Sequence, residues 1–210
     1  LARRSSWADA LGRLLDAQTG SRGACEATAL DVVNYNIVVK ACQSGKVWLQ
    51  ALGVLLDVRR QGLRLDIIGC NAASSACEKC RRWEHLFGWF SKMHDSNVRP
   101  SVVTYNTAIS ACQTCGQWEC ALGTFADARK SHLEPTLISF GVAISACEKS
   151  DKWEQAVGVF AELWRSGIGL DVVVCGATVS ACANGGQWQR AMDTFGEMQH
   201  WALQPSAVIY

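Results

Sequence analysis

Four cysteines first invite a chemical reading. Cys77-x-x-Cys80 and Cys112-x-x-Cys115 have the pair spacing of a four-thiolate zinc site. Within "ACQTCGQWEC" (111–120) three thiols and a tryptophan fall in ten residues. Their setting along the chain gives another reading. Cys77 and Cys112 lie 35 residues apart (112 − 77), and so do Cys80 and Cys115. They are the same places in two copies of one repeating segment. Equivalent points on packed helices are separated by ~8–10 Å or more, too far for thiolates that must each approach one zinc to ~2.3 Å. Cys42, Cys147 and Cys182 keep the first place, whereas Gly45, Ser150 and Gly185 take the second. The first cysteine therefore reads as a small core residue. Cys120 reads as replacing the alanine of the apolar stripe that follows, with the same small-core role, and no structural metal or cofactor is expected.

The repeat sets the framework for every other candidate residue. "VVNYNIVVKAC" from Val32, "IIGCNAASSAC" from Ile67, "VVTYNTAISAC" from Val102, "LISFGVAISAC" from Leu137 and "VVVCGATVSAC" from Val172 align without a gap. Trp48, Trp83, Trp118, Trp153 and Trp188 share one position. Five complete repeats result: 32–66, 67–101, 102–136, 137–171 and 172–206. Residues 1–31 read as the second half of a divergent earlier repeat with a longer loop, and 207–210 open a further one. The chain is thus expected to be a piece of a longer protein.

Within a repeat, positions 1, 4, 8 and 11 are apolar, as in Val102, Tyr105, Ile109 and Cys112. Positions 17, 20, 21, 24 and 27 form a second stripe, as in Trp118, Ala121, Leu122, Phe125 and Ala128. Steps of three and four mark two amphipathic helices, and a turn separates them at positions 14–15. Such a hairpin cannot cover both stripes alone, but stacking on its neighbours does so. The expected fold is all-α, an α-solenoid of stacked helix–turn–helix hairpins. The tryptophans read as packing aromatics of the stack. The recurring alanine of the first helix, with Gly53, Gly88, Gly123 and Gly158 in the second, leads to an expectation of close helix approach there. A net charge of +1 gives no general attraction to polyanions, so a basic surface must be local. No apolar run approaches the ~20 residues of a membrane span.

A second stripe on the first helix is more distinctive. Position 2 is Val33, Ile68, Val103, Ile138 and Val173; position 5 is Asn36, Asn71, Asn106, Gly141 and Gly176. The last position is Asp66, Ser101, Thr136, Asp171 and Ser206. The β-branched residues admit a core role or that of a stiff apolar wall. The terminal hydroxyls and carboxylates admit a helix cap or a ligand contact. Asparagine offers both a donor and an acceptor.

This 35-residue unit resembles the pentatricopeptide repeat across residues 32–206 and in part across 1–31. The resemblance implies a right-handed solenoid that binds single-stranded RNA, about one base per repeat. It implies base reading by Asn36 with Asp66, Asn71 with Ser101, Asn106 with Thr136, Gly141 with Asp171, and Gly176 with Ser206. Val33, Ile68, Val103, Ile138 and Val173 would sandwich the bases, and Lys79 and Lys149 would contact phosphates. Uracil is implied for the first full repeat, cytosine for the second and a pyrimidine for the third. The RNA 5′ end would lie toward the N-terminal repeats. Gly141 and Gly176 depart from the pattern, having no side chain to read with. The family also implies a mitochondrial or chloroplast location and a role in RNA processing, stability or translation. No H-x-E with P-C-x-x-C is present, the four histidines share no spacing, and no enzyme activity is expected in these residues. A protein-interaction solenoid is the alternative reading.

Overall fold

The computed structural model describes residues 8–12, 32–63, 66–95 and 98–200. The expectations for Ser206, for 207–210 and for most of 1–31 lie outside them. The described residues are helical, with no strand among them. The helices come in pairs: α1 (Val32–Gly45) with α2 (Trp48–Arg60), α3 (Ile67–Lys79) with α4 (Trp83–Asp95), α5 (Val102–Thr114) with α6 (Trp118–Lys130), α7 (Leu137–Glu148) with α8 (Trp153–Ser166), and α9 (Val172–Asn184) with α10 (Trp188–His200). First helices start at every thirty-fifth residue and each second helix starts at the shared tryptophan, matching the sequence period.

Two compact units divide the chain, Leu1–Thr107 and Ala108–Tyr210. In the first, α1 packs on its hairpin partner α2 and on the next first helix, α3. In the second, α7 packs on α8 and α9, and α9 on α10. Contact with both its own partner and the following repeat is the packing rule of an α-solenoid.

The inter-helix turn explains the position-11 cysteine. The carbonyls of Cys42, Cys77, Cys112, Cys147 and Cys182 accept from the N–H of Val47, Arg82, Gln117, Lys152 and Gln187 at 2.8–3.1 Å. Their side chains point into the core and are fully buried. Burial pushes the thiols of Cys77 and Cys112 up to about 12, so they stay protonated and uncharged. Cys80 is half-buried, and its thiol donates to the carbonyl of Lys46 in the preceding turn at 3.0 Å. Position 15 adopts the left-handed conformation each time: φ is 57° at Lys46, 56° at Arg81, 71° at Gly116, 55° at Asp151 and 69° at Gly186. Three repeats thus hold a side chain where glycine is favoured.

The buried face of the first helix is set by positions 4, 7, 8 and 11, such as Tyr35, Val38, Val39 and Cys42. Position 1 is only half-buried, because the helix start lies at the rim of the stack. Ala76, Ala111, Ala146 and Ala181 are buried as expected. The glycine expectation is corrected: a Cβ at Gly53, Gly88, Gly123 or Gly158 would meet nothing within 4 Å. Their position turns toward open space, so close packing does not require glycine. Cys120 is half-buried while the adjacent Ala121 occupies the core, because the stripe runs one residue later.

Trp48, Trp118 and Trp153 pack across repeats, whereas Trp83 meets Phe87 of its own helix and Trp188 is exposed, against the expectation of a packing role for it. His85 stacks on Trp48 with ring centroids 4.4 Å apart, and the Arg82 guanidinium lies 5.8 Å from the same ring. In the second compact unit, Lys152 lies 5.4 Å from the Trp118 ring and Arg190 4.9 Å from that of Trp153. A cation over an aromatic face contributes about 0.5–1 kcal/mol at exposed sites. Gly185 lies against Trp153 so closely that any Cβ there would overlap the ring.

Candidate functional site

The core of each hairpin leaves one face of its first helix uncovered. On it Val33, Ile68, Val103, Ile138 and Val173 are between 58% and 71% exposed. Five large β-branched side chains at one repeat position, all in water, are not core residues. Exposure of apolar area costs about 25 cal/mol per Å² relative to burial, so a recurrent exposed set is a feature to explain.

Beside each exposed residue lies position 5, one helical turn on from position 2. Asn36, Asn71, Asn106, Gly141 and Gly176 are all half-buried. The last residue of each repeat stands at the start of the next first helix. Asp66 caps α3, Oδ1 accepting from Gly69 N–H at 2.9 Å. Thr136 caps α7 in a reciprocal box with Ser139, and Asp171 caps α9, accepting from Val174 N–H at 2.7 Å. Ser101 does the same for α5, its Oγ accepting from Thr104 N–H at 3.3 Å. Capping is therefore one role of this position.

The two positions meet directly in the first repeat, where Asn36 Nδ2 donates to Asp66 Oδ2 at 2.7 Å. In the second they meet through an intermediary. Thr104 Oγ1 donates to Asn71 Oδ1 at 2.5 Å and lies 3.0 Å from Ser101 Oγ. Asn106 and Thr136 belong to different compact units. The Asn106 Oδ1 is buried and has no hydrogen-bond partner among the described residues. At Gly141 a Cβ would lie 3.3 Å from Val174 Cγ2, so Val174 fills the space beside that glycine. Gly176 is half-buried and Asp171 is engaged as a cap. Lys79 and Lys149, at the ends of α3 and α7, are exposed.

Sequence reasoning passed over position 3. Gly69 leaves room for Asn36, since a Cβ there would overlap Asn36 Oδ1. Thr104 is fully buried and bonded to Asn71, and Val174 is buried beside Gly141. A signal was present: an asparagine at position 5 is followed in the next repeat by Gly69, Thr104 or Ser139, and Gly141 is followed by Val174.

Among the described residues, no group of three or more His, Cys, Asp or Glu gathers in a metal-holding arrangement. No helix there is long and apolar enough to cross a membrane.

Paired helices stacked at a fixed period, with one polar and apolar row per repeat, define an all-α helical-repeat protein. The sequence profile of the pentatricopeptide repeat domain matches residues 53–113, 88–150 and 158–210, and that of the single repeat matches 138–168. The chain belongs to the pentatricopeptide repeat family. Its fold is similar to that of the pentatricopeptide repeat protein PPR10 from maize, with a TM-score of 0.72 at 22% identity over 99% of this chain and 30% of that one. PPR10 in complex with an 18-nt psaJ RNA element gives 0.68 at 17% identity, over 99% of this chain and 34% of that one. The PPR domain of Arabidopsis thaliana protein-only RNase P 1, in complex with tRNA, gives 0.70 at 18% identity over 81% and 90%. The chain thus spans about a third of the length of the PPR10 chains it matches. A comparison with curated protein sequences gives no match.

Proposed function

We propose that this chain binds single-stranded RNA, one base per repeat, along the row formed by positions 2, 5 and the repeat end. The observation that carries this reading is the exposed series Val33, Ile68, Val103, Ile138 and Val173 beside the half-buried amides of Asn36, Asn71 and Asn106. Stiff apolar side chains on either side of a base supply stacking contact, and an amide between them hydrogen-bonds its Watson–Crick edge. Family membership and likeness in fold to an RNA-bound repeat protein support it.

In this reading Asn36 with Asp66 selects uracil, Asn71 with Ser101 selects cytosine, and Asn106 with Thr136 selects a pyrimidine. Gly141 with Asp171 and Gly176 with Ser206 accept bases with little selection, because neither glycine can reach a base edge. Val33, Ile68, Val103, Ile138 and Val173 sandwich the bases, and Lys79 and Lys149 meet phosphates. The process served is organellar RNA processing, stability or translation, in mitochondrion or chloroplast, and the repeats themselves carry no catalytic step. Selection from pooled random RNA should enrich a short motif of U, C and a pyrimidine in 5′ to 3′ order, with affinity falling as salt rises. Recovery of no motif sinks the reading.

The net charge of +1 and the two glycine-bearing repeats favour a second reading, a protein-interaction solenoid. Its mark would be a stoichiometric protein partner retained after nuclease treatment.

A further inference from the structure

We infer that Thr104, which belongs to the third repeat, sets the base preference of the second by fixing which end of the Asn71 amide is offered to the base. The inference rests on the RNA reading above and adds a positioning residue to it.

Hydrogen-bond accounting carries it. A threonine hydroxyl has one proton and two lone pairs. Thr104 gives its proton to Asn71 Oδ1 at 2.5 Å and accepts from Ser101 N–H at 3.0 Å. With that proton committed, the 3.0 Å contact between the two hydroxyls is made by the proton of Ser101. Ser101 Oγ also accepts from Thr104 N–H. Asn71 therefore keeps its two N–H donors and one carbonyl lone pair; its oxygen is held toward Thr104, so the amino end is the one offered to a ligand, and Ser101 keeps one lone pair. Cytosine presents two acceptors, N3 and O2, and one amino donor. Uracil presents an N3–H donor between two carbonyl acceptors, so its N3–H would face an Asn71 N–H and its O4 the Ser101 lone pair. Both encounters are repulsive, and cytosine is favoured.

In the first repeat the same side chain is engaged through its other group, with Oδ1 lying beside Gly69. Asn36 is tied through Nδ2 to Asp66, and the residue equivalent to Thr104 is Gly69, which has no hydroxyl. Asn36 keeps its carbonyl oxygen and one N–H, the complement of uracil N3–H and a neighbouring carbonyl. The choice between the bases thus follows from which end of an amide is occupied within the protein. Thr104 is fully buried, so it acts on the base only through Asn71 and Ser101.

The test uses the whole chain and two single-stranded RNAs, U-C-C-N-N and U-U-C-N-N, which differ only at the base set against Asn71. Thr104→Val keeps the side-chain shape and removes the hydroxyl, and Thr104→Ala removes it with no added bulk. Either variant should lower the C-over-U affinity ratio at that base about fivefold, the effect of about one hydrogen bond, while Thr104→Ser retains it. The U preference at the preceding base, set against Asn36, should not move, which a purely structural role could not ensure. Asn71→Ala is the control. If it abolishes the ratio while both hydroxyl-free variants retain it, base reading stands and the role of Thr104 is overturned. If Asn71→Ala leaves the ratio intact, or neither RNA binds, the RNA reading fails and this inference fails with it.

Discussion

Asn36 and Asn71 occupy the same place in successive repeats, and the protein grips them by opposite ends. Asp66 accepts from Nδ2 of the first, whereas Thr104 donates to Oδ1 of the second. At Gly141 the place is empty, and Val174 fills the adjoining space from the next helix. The comparison teaches that position 5 is not read from its own repeat alone. What stands three residues beyond the following cap decides whether an amide has room and which of its groups is engaged.

The strongest challenge to that comparison is Gly69→Thr, which tries to install the second grip in the first repeat. Its Cβ would overlap Asn36 Oδ1, with Leu55 Cδ2 at 3.2 Å on the other side. Overpacking of this kind should lower stability by about 2 kcal/mol, measured by urea denaturation. An unchanged midpoint would mean that Asn36 turns aside without cost. Gly141→Asn should cost less, about 1 kcal/mol, because Val174 Cγ2 must yield by a few tenths of an ångström. Combined with Val174→Thr, most of that loss should return, giving a coupling between the two sites of about 0.5–1 kcal/mol in a double-mutant cycle. Strict additivity would sever position 3 from position 5.

The smallest effect on stability should come from Asp66→Ser, since serine remains a good cap and the cost is a few tenths of a kcal/mol. Its effect on RNA is the sharper outcome. If the pair of reading residues sufficed, the first repeat would now prefer cytosine as the second does. Gly69 supplies no hydroxyl to hold the Asn36 oxygen, so U and C should bind about equally there, checked by competition between two RNAs differing at that base. A full switch to cytosine would show that position 3 contributes nothing.

Much of this arrangement was legible before the structure. Period 35, the two stripes and the turn follow from spacing alone, because each is repeated and the repeats corroborate one another. The exposed row at position 2 was legible as one of two alternatives, and the structure excludes a core role by leaving Val33, Ile68 and their equivalents in water. The role of position 3 was not legible within a single repeat. Gly69, Thr104 and Val174 have nothing in common as side chains, and their significance lies in a residue of the preceding repeat. Gly53, Gly88, Gly123 and Gly158 misled for the opposite reason. Their recurrence imitates a packing demand, although a methyl group there meets open space. A pattern within one sequence records what recurs, whereas a contact across a repeat boundary shows itself as covariation between two positions.

The hydrogen bond from Thr104 to Asn71 crosses the boundary at residue 101. It bears on protein engineering with these modules. A cassette cut at 67 and 101 leaves its hydroxyl partner behind and takes on whatever the new neighbour offers. Exchange of specificity between such proteins should therefore carry the opening turn of the next repeat with the transplanted one, so that seams fall beyond the third residue of the follower.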